Sequence, residues 1–332
     1  MESKMFANFY LFSGEMVYND PMPRVIFIFV DGVGVGRADS GNPFFQAESL
    51  FLPFWQGAMT LPDGTPLAAI DAALGIPGPP QSASGQTALF CGAGAAEIAN
   101  RHHNGYPDRH LRKIILGKNL LLHLQKSKVR ACFLNAYPVL HKFFTAKHIK
   151  ISADGRFWFS ATFPARFRRM ISVTSCMMLA AGAIPFTEKD ISTKRALYQD
   201  YSNRQLISQG LKLPEYSPAQ AAAIIADAAL DYEFILYEYF QTDIYAHRRP
   251  FTDCVALVRD LDNLIESLLA RLDKKQDTLI LTSDHGNLED FHYAGHSRNP
   301  VPLLAWGKHG EFLRTKIKSL SDVTPALLEL FP

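Results

Sequence analysis

Several residues in this sequence are of types that hold metals or attack electrophiles, and most stand just beyond apolar runs. Asp284 and His285 adjoin, directly after the β-branched stretch 278–282. Asp31 follows the unbroken apolar run 25–30, VIFIFV. Asp243 and His247, four residues apart, follow 233–240, EFILYEYF. That spacing puts both on one side of a helical turn or tight loop. His296 precedes a further apolar stretch at 303–306. Singly these are ordinary: an Asp-His pair after a strand is a capped turn, and each histidine alone is a structural residue. Together, three carboxylates and three imidazoles suit two divalent ions of the Zn or Mn type. Two such ions roughly 3.5–4 Å apart can bind both the attacking and the leaving oxygen of a phosphoryl displacement.

The nucleophile for that chemistry would come from Gln81-Ser82-Ala83-Ser84-Gly85-Gln86-Thr87. The stiff segment 75–80, GIPGPP, delivers this stretch, since proline fixes φ and biases its predecessor away from helix. Residues 88–99 read as a small-residue buried helix, so Ser82 or Ser84 falls at its start. Capping accounts for a serine there and is worth about 1 kcal/mol. A nucleophile is the alternative, because its phosphate adduct would face free backbone N–H groups and the positive end of the helix dipole. A serine alkoxide is out of reach at neutral pH unless a metal lowers its pKa.

The elements that must position these residues follow from the apolar pattern. Runs 25–30, 233–240 and 278–282 lack alternation, the mark of strands buried on both faces of a largely parallel sheet. Ligands of such sheets sit beyond the strands' carboxyl ends. Helices are expected at 42–51, 111–125, 174–182, 217–230 and 251–272, and a further strand at 129–134. Residues 141–170 mix basic and aromatic side chains without a period and read as an excursion from the sheet, with 138–172 as a small lid. Asp31-Gly32-Val33-Gly34-Val35-Gly36 could be a dinucleotide loop, but its alternate glycines lack the third glycine of that motif.

The bounds are those of a globular protein. The 332 residues are 48% hydrophobic and 20% charged, with a formal charge of +2. Near-neutrality gives no long-range field for nucleic acid or a membrane surface. No apolar run reaches the ~18 residues of a membrane span. Four scattered cysteines without a C-x-x-C spacing fit reduced thiols in the cytoplasm. Residues 1–21 read as an N-terminal extension, not a signal peptide, ahead of one domain over 22–332.

The order of these motifs resembles the alkaline phosphatase superfamily, nearest to its cofactor-independent phosphoglycerate mutase and phosphopentomutase branch. The likeness rests on Asp31-Gly32-x-Gly34, Ser82, Asp243-x-x-x-His247, Ser283-Asp284-His285-Gly286-Asn287-x-Glu289 and His296-x-x-Asn299-Pro300-Val301-Pro302. It implies a three-layer αβα sandwich with a mainly parallel sheet and a small insert in place of a large cap domain. It also implies that Asp31, Ser82, Asp284 and His285 surround one metal, that Asp243, His247 and His296 bind another, and that Ser82 becomes phosphorylated. Register on Gly85 and Gly92 favours Ser82, with Ser84 and Thr87 left open.

Three departures matter. Gln86 stands where those mutases carry a histidine, and Arg298 where they carry a small polar residue. Only residues 101–230 are available for the insert that would shield a phosphoserine from water. A thin cover makes hydrolysis the easier outcome. The expectation is therefore a two-metal (Mn2+ or Zn2+) phosphohydrolase acting on a small phosphorylated substrate. The alternatives are a phosphosugar mutase and a metal-binding module without turnover. His102, His103, Arg204, Arg248, Arg249 and Arg298 are candidate substrate contacts.

Overall fold

The computed structural model describes residues 22–332; the extension read over 1–21 lies outside the described residues. At its centre is strand β1 (Arg24–Val30), buried from Val25 onward. Its side chains alternate between two cores, as a strand requires. Val25, Phe27 and Phe29 enter one cluster, in which Phe90 of helix Ser82–Cys91 meets the Phe27 and Phe29 rings at 5.9 and 5.4 Å. Ile26, Ile28 and Val30 enter the other, against helices Pro218–Asp231 and Phe251–Leu269. Full burial of each such side chain stabilises the fold by about 1.5–3 kcal/mol. Helices on both faces of one sheet make three layers.

The remaining strands are β2 (Ala68–Ile70), β3 (Ala131–Phe133), β4 (Ile149–Ile151), β5 (Phe157–Phe159), β6 (Phe234–Tyr239), β7 (Asp277–Thr282) and β8 (Val301–Gly307). The main sheet runs β2-β8-β7-β1-β6-β3. β1 pairs in parallel with both β6 and β7, and β3 in parallel with β6. β8 runs antiparallel to both β7 and β2. The sheet is thus mixed but mostly parallel, and the carboxyl ends of β1, β6 and β7 lie side by side.

Several boundaries differ from the sequence reading. The small-residue helix starts at Ser82, not 88, and ends where Gly92 adopts φ +57; a short helix, Ala95–Ala99, follows. The single helix expected over 111–125 is two, Arg109–Gly117 and Leu120–Lys126. Asn119 makes the break: its amide donates to the Ile115 carbonyl and its oxygen accepts from Leu122 N–H, capping the second helix. The helix expected over 42–51 covers only Pro43–Gln46, behind an Asn42 cap.

Within 138–172, β4 and β5 form an antiparallel hairpin. Buried Ile149 and Phe163 join the main core, and the Phe159 and Phe163 rings lie 4.7 Å apart. Among the described residues no helix is long and apolar enough to cross a membrane. All four cysteines are buried free thiols.

Candidate metal centre

Three strand ends and one helix start converge. Asp31 follows directly on β1, and its N–H donates to the Tyr239 carbonyl at the end of β6. The chain then turns at Gly32, whose φ of +68 suits glycine and whose Cα faces Asp243 so closely that a Cβ would stand 2.6 Å from its carboxylate. Beyond β6, helix Gln241–Arg248 carries Asp243 and His247 one turn apart. Thr242 anchors this helix by donating its hydroxyl to the Asp31 carbonyl. β7 delivers Ser283, Asp284 and His285, all fully buried. His296 sits in the β7–β8 connection, its Nδ1 3.1 Å from the Pro80 carbonyl. The proline-rich segment that carries Ser82 is thereby tied to His296.

Two groups result. Asp31, Asp284 and His285 form one, and Asp243, His247 and His296 the other; in each, donor atoms lie within 4.8 Å of one another. His285 Nε2 is 3.5 Å from Asp31 Oδ1 and 3.7 Å from Asp284 Oδ2. Asp243 Oδ1 is 3.4 Å from His247 Nε2 and 3.7 Å from His296 Nε2. The imidazoles of His285 and His296, one from each group, stack with centroids 3.7 Å apart and planes 14° apart. Ser82 faces the first group: its Oγ lies 3.0 Å from His285 Nε2. The other hydroxyls of the segment are used elsewhere. Ser84 donates to the Gln81 carbonyl and accepts from His103 N–H, and Thr87 donates to the Ala83 carbonyl.

The electrostatics suit cations. Asp31 Oδ1 is buried without a hydrogen-bond partner. Burial, then the nearby Asp284 and Asp243 carboxylates, hold the Asp31 carboxyl well above the usual range. Burying like charges together costs several kcal/mol unless a counter-ion joins them. Burial also acts to raise Asp243, but the His247 hydrogen bond, the His285 ring and the Asn287 amide outweigh it and keep that carboxyl low. Burial and the neighbouring His285 lower His296, favouring the neutral imidazole that binds metal. An orphaned carboxylate oxygen and a mixed carboxylate, imidazole and hydroxyl donor set fit divalent metal ions.

Surrounding residues fix the ligands. Gln86 donates its amide to Asp284 Oδ2 at 2.9 Å. Asn287 donates to Asp243 Oδ1 at 2.7 Å, with the same nitrogen 3.1 Å from His247 Nε2. Buried Glu289 accepts from Gly34 N–H, Asn287 N–H, the Asn299 amide and the Ser297 hydroxyl, knotting the loops after β1 and before β8. Such partners hold ligands in orientation. The sequence reading saw Asn287 and Glu289 only as motif letters.

The groups open into a cleft of about 540 Å³. None of the six expected substrate contacts lines it. Arg204, Arg248 and Arg249 border a neighbouring cleft that shares Ile244, and Arg204 is occupied by Glu215 at 2.6 Å. His102 Nε2 is 3.3 Å from the Ile76 carbonyl, His103 pairs with Ser84 through its backbone, and Arg298 is exposed. Proximity in sequence to the ligands misled there, because helix Gln241–Arg248 turns Arg248 away from the side that carries Asp243. The residues that do face the cleft include Asn104, Tyr106, Ser172 and Phe240, which no motif marked.

Residues 203–332 match the family model described as Metalloenzyme superfamily. The structure of alkaline phosphatase from the Antarctic bacterium TAB5 superposes with a TM-score of 0.50 at 14% identity, over 93% of this chain and 98% of that one. Over residues 203–332 the chain is thus similar to the metalloenzyme superfamily, and its fold is like that of the alkaline phosphatase. It is distantly similar to 2,3-bisphosphoglycerate-independent phosphoglycerate mutases. It is 28% identical to that of Thermomicrobium roseum over 145 residues, 38% of this chain and 28% of the relative. With that of Moorella thermoacetica the identity is 25% over 126 residues, 35% of this chain and 25% of the relative. The matched stretch thus spans about a quarter of those mutases.

Proposed function

We propose that the protein is a two-metal-dependent phosphohydrolase that cleaves a phosphate ester through a phosphoserine on Ser82. The observation that carries this reading is the Ser82 hydroxyl, at the first position of its helix and within hydrogen-bond distance of His285 in the Asp31 group. Asp31, Ser82, Asp284 and His285 would hold one cation, and Asp243, His247 and His296 the other. When bound, two divalent ions supply a lowered pKa for the serine hydroxyl and counter-charge for the phosphate. Ser82 Oγ attacks phosphorus, the bond to the leaving oxygen breaks, and the alcohol departs with a proton. Water then attacks the phosphoserine, releasing inorganic phosphate and restoring the hydroxyl. The helix dipole favours the negative adduct at its N-terminus.

Hydrolysis is preferred to mutase action because the cover over Ser82 is slight. Of the span 101–230, only Asn104, Gly105, Tyr106 and Ser172 line the cleft among the described residues. The mutase alternative draws on the similarity to phosphoglycerate mutases. Both are tested by assaying phosphomonoesters and phosphodiesters with Mn2+ or Zn2+, beside Ser82→Ala. Expected are release of inorganic phosphate, acid-trapped phosphate on Ser82, and loss of turnover in the variant with metal still bound. Undiminished turnover by the variant would remove Ser82 from this role. Phosphoglycerate isomerisation without phosphate release would favour the mutase, and metal binding without any turnover a non-catalytic module.

A further inference from the structure

We infer that the cleft selects esters whose leaving group is uncharged and apolar or aromatic, an inference that rests on the phosphoryl-transfer reading above. Charge is the first constraint. Among the described residues, no lysine or arginine lines the cleft. The three aspartates of the two groups would already offset most of the charge of two divalent cations. An ester phosphate would then face the cations, but a second anionic group on the substrate would meet no lysine or arginine within this cleft. A carboxylate on the leaving group would stand near Asp31 and Asp243 without a cationic side chain to pair with, which disfavours it.

The wall is the second constraint. Tyr106 is 45% exposed and lines the cleft from the loop after helix Ala95–Ala99. The loop is pinned at its start, where His103 and Ser84 exchange backbone and hydroxyl hydrogen bonds. Phe240 and Ile244 contribute apolar surface at the start of helix Gln241–Arg248. An accessible aromatic ring beside an aliphatic and a second aromatic side chain offers stacking surface to a flat or apolar substituent. Asn104 and Ser172 add only neutral polar groups.

Binding can be read apart from turnover. The Ser82→Ala protein in excess Mn2+ would be titrated calorimetrically with phenyl phosphate, methyl phosphate and 3-phosphoglycerate. Phenyl phosphate is expected to bind roughly tenfold more tightly than either. Adding Tyr106→Ala should cut its advantage over methyl phosphate about threefold, and Tyr106→Phe should keep it. Equal or tighter binding of 3-phosphoglycerate, or a phenyl-to-methyl ratio indifferent to Tyr106→Ala, would overturn the inference. Parallel assays of the unsubstituted protein separate it from the reaction itself. Failure to turn over any ester while the binding preference persists would sink the hydrolase and still support the cleft's selectivity.

Discussion

At the scale of single residues, the least expected group is Glu238. It lies in β6, wholly buried, with Tyr137 and Thr174 donating to its Oε1 while Oε2 is buried without a partner. Burial pushes its carboxyl up to about 7 from an ordinary 4.5, the two hydrogen bonds pulling the other way. Because the folded value is the higher one, its contribution to stability is complete below about 4.5 and is lost as pH rises through about 7. The loss is on the order of 3 kcal/mol. Urea unfolding in chelator should therefore show the unsubstituted protein weakening more steeply from about pH 5 to about pH 8 than Glu238→Gln, with the raised Asp31 carboxyl acting alike in both. Superimposable pH profiles would contradict this. Glu238 was hidden in the sequence as one acidic letter in a strand, since alternation says which face a residue takes and not what it meets there. Asp31, Asp243 and Asp284 were legible for the opposite reason: each stands just past an apolar run, where a carboxylate has no packing role.

At the scale of elements, the approach of helix Ser82–Cys91 to the end of β7 sets the distance between Ser82 and His285. Gly85 permits it; a Cβ there would stand 2.5 Å from the Asp284 carbonyl. Gly85→Ala should push the helix outward, destabilise the fold by about 1–3 kcal/mol and lower turnover more than it lowers metal affinity. Melting temperature, kcat and metal titration on one preparation would test it, and unchanged kcat would refute it. β1, β6 and β7 were readable because burial on both faces leaves largely apolar runs, broken in β6 by Glu238. The direction of β8 was not, for a short apolar stretch carries no polarity, and only the β7–β8 connection decides it. Ser82 at the helix start was legible, but 82–87 were not read as helix because Ser, Gly and Gln there look like loop; small residues there are what the close packing demands. The split at Asn119 was missed because both halves keep apolar faces in sequence with one another.

At the scale of the whole molecule, ligands far apart in sequence meet only once β1 lies between β6 and β7. The buried charge of Asp31, beside Asp284 and Asp243, opposes folding until a cation joins it. Each ion held at about a hundred times its Kd should add about 2.7 kcal/mol of stability. Thermal melts with chelator and with Mn2+ would show the difference, and native mass spectrometry would count two ions per chain. Identical melting in both conditions would exclude metal from the centre.

The His285 and His296 rings lie face to face like adjoining tiles, one belonging to each donor trio and both carried by the chain between β7 and β8. If filling one trio aligns the ring of the other, the species carrying a single ion should stay scarce in the same mass spectra; one-ion and two-ion populations in the proportions of independent sites would contradict this.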